Sequence, residues 1–117
     1  MIEELISRVF AVRNDAQLAH WKTRSYAQHM ALGALYDGVI GKLDGIVEMY
    51  QGAFGLIDLK TIKPAQPADI LERIAAEAEW IEENREDIAG GVSAIENALD
   101  DLAALYLTTF YKLKNLS

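Results

Sequence analysis

Apolar residues along this chain recur at spacings of three and four, and nowhere alternate as a half-buried strand requires. Ile2, Leu5, Ile6, Val9, Ala16 and His20 share one face, which predicts a first helix over about 2–22. Ser25-Tyr26-Ala27-Gln28 reads as a capping box, in which the Ser oxygen and the Gln side chain each satisfy a free backbone N–H. It opens a second helix, predicted over about 26–51, with His29, Tyr36, Ile40, Leu43, Val47 and Tyr50 as its stripe. Gly52 and Gly55 are its stop signals. The stretch to Gln66 mixes polarity and holds a Pro, so it reads as a loop. Pro67 suits the first turn of a third helix, where its missing N–H costs nothing; that helix is predicted over about 67–86. Its inner face is Ile70, Leu71, Ile74, Ala78 and Ile81. Gly90-Gly91 marks a turn, and Ser93-Ala94-Ile95-Glu96 is a second capping box. The fourth helix, predicted over about 92–115, keeps Val92, Ile95, Leu99, Leu102, Tyr106 and Leu113 inside. Four amphipathic helices joined by two short turns and one longer loop predict an all-α fold, a single four-helix bundle over 1–117.

Composition narrows the chemistry. The chain has 117 residues, no Cys, and 11 Lys+Arg against 18 Asp+Glu, a net charge of −7. Without Cys there is no disulfide, thiol nucleophile or thiolate metal site. The acidic balance favours cations as guests, and Lys112 with Lys114 is the one local basic cluster, so no nucleic-acid partner is expected. The longest uncharged run, Ser25 to Tyr36, is shorter than the roughly 18 residues of a membrane span. Met1-Ile2-Glu3-Glu4 lacks the basic region of a signal peptide, so a cytoplasmic location is expected. Glu77, Glu79, Glu82, Glu83, Glu96, Asp100 and Asp101 read mostly as solvated faces, and Trp80, Phe110 and Tyr111 as packing or interface residues.

The only two His lie either side of the first turn. His20 ends the first helix on its inner face, and His29 stands one turn into the second, so the two face each other and could serve one metal. The alternative is a pair of core histidines with satisfied hydrogen bonds. Asp44 and Glu48 are i, i+4 neighbours able to chelate a hard cation, with Asp37 on the same flank; the alternative is a solvated acidic face. His29 and Asp44 are 15 residues apart, about 22 Å at 1.5 Å per residue, so one chain cannot bring both pairs to one ion. They meet only if a second copy runs antiparallel across a two-fold axis, with two equivalent sites. Gly38, Gly41 and Gly45 flank the carboxylate face and suit close approach of another helix backbone.

These residues resemble a known family. Ala19-His20-Trp21, Tyr26, His29, Leu35-Tyr36-Asp37, Asp44 and Glu48 are similar to the motif of the mini-ferritins, the DNA-binding proteins from starved cells (Dps). His29-x14-Asp44-x3-Glu48 keeps the family spacing; the gap from His20 to His29 is about three residues shorter, and Gly33 stands where the family often has an Asp. The resemblance implies a ferritin-like bundle with an iron site between subunits, His20 and His29 from one and Asp44 and Glu48 from the other. Trp21 would take the place of the family's tryptophan beside the iron, absorbing oxidising equivalents. It further implies a homo-oligomer with ferroxidase activity for iron sequestration or oxidative protection. The Lys-rich tail that some members use on DNA is absent, and the length is nearer the compact ferritin-like proteins of some bacteriophages. Two His and two carboxylates also suit structural Zn²⁺. A different class of reading is a non-catalytic bundle that serves as an assembly or interaction module.

Overall fold

Each predicted helix forms, and the differences lie at the ends. The computed structural model describes residues 1–117 as α1 (Ile2–Lys22), α2 (Tyr26–Phe54), α3 (Ile70–Ala89) and α4 (Ser93–Asn115), with no strand. The Ser25 box is half formed: Ser25 Oγ accepts from the Gln28 N–H at 3.2 Å, while the Gln28 side chain turns to the Thr23 hydroxyl. α2 runs through Gly52 and stops at Gly55, whose φ of 97° is open to glycine. Pro67 falls outside α3, because Asp69 caps that helix by accepting from the Glu72 N–H at 3.2 Å. The Ser93 box does not form either. Val92 is the N-cap there, without a side-chain bond.

The path of the chain is set by residues 55–69. α1 packs on α2, α2 on α4, α4 on α3 and α3 on α1, with α2 and α3 on a diagonal. Asp69 and Ile70, at the start of α3, line one cavity with Lys22 and Gln28, so α3 starts at the end of the bundle where α2 also starts, and the connection must return along its full length. Fifteen residues reach about 50 Å when extended, ample beside the roughly 30 Å of a 20-residue helix. On the way the Lys63 N–H donates to Ser7 Oγ at 3.1 Å, and just beyond it Arg73 reaches Asp15. The bundle therefore has two short turns and one long crossover connection. We call the end holding the α1–α2 turn the upper end.

Twenty-two apolar side chains form one core, and two corrections to the pattern follow from it. The buried positions of α2 are Ala31, Leu32, Leu35, Val39, Leu43 and Ile46, rotated from the predicted stripe because α2 must serve both α1 and α4. Tyr36, Ile40, Val47 and Tyr50 are half-buried on its flank. Glu77 is not on a solvated face. It is 4% exposed and accepts from Arg8 Nη1 at 2.9 and 3.2 Å. No helix is long and apolar enough to cross a membrane.

Candidate metal centre

Bundle-type carboxylate metal centres gather Glu and His from several helices at the core. Here the core carboxylates are Asp15 and Glu77, and each is engaged by an arginine: Arg73 Nε donates to Asp15 at 2.7 Å, and Arg8 to Glu77. Nowhere do three His, Asp or Glu side chains of one chain come together as a cation site. Donors for a cation lie instead at the upper end and on the outer face of α2.

At the upper end the two histidines form a closed clasp. His20 Nδ1 lies 2.7 Å from the His29 carbonyl oxygen, and His29 Nδ1 lies 3.0 Å from that of His20. A carbonyl only accepts, so each Nδ1 carries a proton, and in the neutral tautomer this selects the lone pair is on Nε2. This is the tautomer-fixing bond that orients a metal-binding imidazole. The rings stack with centroids 3.7 Å apart and planes within 19° of parallel. Tyr36 stands edge-on to His20 at 5.2 Å, and the Arg13 guanidinium lies over Tyr36 at 5.7 Å. Gly33 makes the room: a Cβ there would sit 3.3 Å from His20 Cε1. The position where an Asp was compared in sequence is thus filled by the neighbouring imidazole.

The stack limits the chemistry. Lone pairs lying in separate, nearly parallel planes do not converge, so one cation cannot take both Nε2 atoms while the rings stay stacked. Each ring serves a separate ion position, or one ring turns out. Trp21 is 70% exposed and stacks on neither imidazole.

Asp44 and Glu48 are exposed one turn apart on α2, without a cationic partner, as is Asp37. Within one copy Asp44 lies about 22 Å and Glu48 about 28 Å along the helix from His29. The structure therefore brings the histidines together and leaves the carboxylates apart from them. The three glycines divide likewise. A Cβ on Gly38 would meet Leu105 of α4 at 3.0 Å, whereas Gly41 and Gly45 have nothing within 4 Å in the chain. Tyr36, Gly33 and Arg13, which shape the clasp, carry no motif that singles them out in the sequence.

A family model described as "Family of unknown function (DUF5856)" matches residues 20–113. No curated protein and no solved structure matches the chain.

Proposed function

The chain belongs to the DUF5856 family, whose function is unknown, and from its own residues we propose that it binds iron(II) between two copies of itself. His20 and His29 supply Nε2 donors from one copy, each to its own ion position unless one ring turns out of the stack, and the second copy supplies Asp44 and Glu48. One observation carries this reading: both Nδ1 atoms are spent on carbonyls, which leaves two oriented Nε2 lone pairs. The carboxylates, exposed and unpaired, supply charge that favours Fe³⁺ over Fe²⁺. Mixed imidazole and carboxylate donors suit iron, with Zn²⁺ as the alternative occupant. Iron is substrate here. One peroxide takes an electron from each of two Fe²⁺ and, with two protons, leaves as two waters. Trp21, beside the clasp in sequence and exposed, is the candidate donor for stray oxidising equivalents. The single long crossover, which ferritin-like bundles share, and the Dps-type spacing support the reading, as does the open α2 backbone at Gly41 and Gly45, which admits a second helix.

Complementation tests the shared site. Copies carrying His20→Ala/His29→Ala and copies carrying Asp44→Ala/Glu48→Ala each lack half of every site. Mixed after dissociation, they rebuild one intact site per hetero-dimer. Anaerobic Fe²⁺ binding should be absent in either variant alone and return to about a quarter of wild type in an equimolar mixture that re-pairs at random, since half of the dimers are then mixed and each has one of its two sites intact. No iron or zinc retained by the wild type at any loading would defeat the proposal. The parallel rings favour one second reading, a bundle of the same fold that acts as an assembly module without metal.

A further inference from the structure

The fold separates charge along the bundle. At the upper end the α1–α2 turn supplies Lys22 and Arg24, and the last turns of α4 supply Lys112 and Lys114. Gln28 Nε2 donating to the Leu113 carbonyl at 3.4 Å ties these two places together, and a cavity of about 310 Å³ touches both Lys22 and Leu113. None of the four cations has a carboxylate within 4 Å. Among them stand three exposed aromatic rings, Trp21 (70%), Tyr26 (75%) and Tyr111 (58%). Asp69 and Glu72 also lie at this end, and Asp69 is spent on capping α3.

The lower end is the reverse. α3 finishes with Glu82, Glu83, Glu86 and Asp87 and has no basic residue in its last turn. Carboxylates there oppose the negative end of the helix dipole, which stabilises cations rather than anions. The one cation among them, Arg85, is committed to Asp100 by two bonds of 2.7 and 2.8 Å. Beside them Phe54 and Leu56 are exposed, Leu56 at 89%, and Phe54 packs under Gly90, where a Cβ would meet its ring at 2.9 Å.

We propose that the upper end of one copy docks on the lower end of another, head to tail, with Lys22, Arg24, Lys112 and Lys114 facing the α3 carboxylates and the aromatic rings facing Phe54 and Leu56. The partner is a second copy because the two surfaces that fit each other belong to the same chain. This contact is separate from the α2 face and needs no metal. A heterologous contact of this kind extends into rows or closes into rings. The bundle is 27 × 20 Å in cross-section, so each copy covers on the order of 400 Å², below the roughly 800 Å² per partner of a standard interface. The association is therefore weak and sensitive to salt.

Sedimentation velocity of the full chain in EDTA tests it, since the chelator removes any contribution from a metal-bridged α2 contact. The weight-average mass should rise with concentration in 50 mM NaCl, and the association constant should fall about tenfold or more in 500 mM NaCl, where screening shortens the reach of charge. Lys22→Glu/Lys112→Glu and Glu82→Lys/Glu86→Lys should each abolish the rise alone, and an equimolar mixture should regain it. Asp44→Ala/Glu48→Ala should leave it intact, so that failure of the metal reading and failure of this one are told apart. A mixture no larger than its components would overturn the proposal. So would loss of association in the upper-end variant only, or wild type that stays monomeric and instead binds anionic vesicles or single-stranded nucleic acid through the upper end.

Discussion

Two charged regions of this molecule are built on opposite plans. Between α1 and α3 the ion pairs are closed: Arg8 with Glu77 and Arg73 with Asp15, each carboxylate about 6% exposed in its side chain. On the outer face of α2 the charges are open, with Asp37, Asp44 and Glu48 exposed and without cations, about 12, 22 and 28 Å along the helix from His29 and its clasp. The first region neutralises charge because burial leaves it no alternative. The second leaves charge unneutralised where nothing in the fold demands it. A bundle needs the first kind to stand and has no structural use for the second.

The sharpest way to break that contrast is to open a closed pair. Arg8→Met removes the guanidinium that serves Glu77 and also lies over the Trp80 ring at 4.5 Å. Leaving a buried carboxylate without its partner typically costs 3–5 kcal/mol; part of Arg8 is exposed, so a loss of about 3 kcal/mol is expected in urea unfolding at pH 7. A loss under about 1 kcal/mol would mean that the pair is as dispensable as a surface one.

Titration of Glu77 gives a smaller effect with a definite sign. Burial holds its carboxyl above the ordinary range, against the pull of Arg8. A raised folded pKa means that the native state binds this proton more tightly than the unfolded chain does. Its contribution is full below the ordinary carboxylate range and is lost as pH rises through the raised value. Glu77→Gln has no such proton. Between pH 4 and pH 7 the wild type should therefore lose stability relative to Glu77→Gln. Parallel curves for the two proteins would refute this.

The bundle was legible in the sequence because its four apolar stripes are long and its turns carry strong signals; α1 and α4 match their predicted inner faces almost residue for residue. α2 was misread in phase. A helix packed between two neighbours buries a wide arc, and periodicity alone picks the arc's edge as readily as its centre. That edge is where His29 sits, half-buried, facing α1. Glu77 went unrecognised because a Glu among six other acidic residues of α3 looks solvated, and only the fold brings Arg8, 69 positions away, against it. Of the candidate site, spacing showed that one chain cannot bring the two halves to a single ion. It could not show the reciprocal carbonyl bonds, which depend on ring orientation, nor the parallel planes that keep the rings from sharing an ion.

Gly33 probes the clasp at a cost near zero to the fold. An Ala there gains helix propensity of roughly 1 kcal/mol over Gly, while its Cβ at 3.3 Å from His20 Cε1 forces the ring to give by a few tenths of an ångström. Net stability should change by about 0.5 kcal/mol or less. The imidazole nitrogen resonances, which report the tautomer through the Nδ1 bond, should move for both rings. Unmoved resonances in Gly33→Ala would show that the ring does not rest on α2.

Asp44→Asn/Glu48→Gln carries the smallest effect on the fold and separates the regions most cleanly. Like charges at i, i+4 on an exposed helix repel by about 0.2–0.5 kcal/mol, and no cation in this chain offsets that. Neutralising both should raise thermal stability by a few tenths of a kcal/mol in EDTA. If these carboxylates are half of a cation site, the rise must reverse when Fe²⁺ or Zn²⁺ is added anaerobically, because only the wild type then gains the binding free energy of the ion. An interior pair behaves oppositely: opening it costs stability with or without metal. A double variant less stable than wild type even in EDTA would show that the outer face of α2 is held by the fold after all, and the distinction between closed and open charge would fail there.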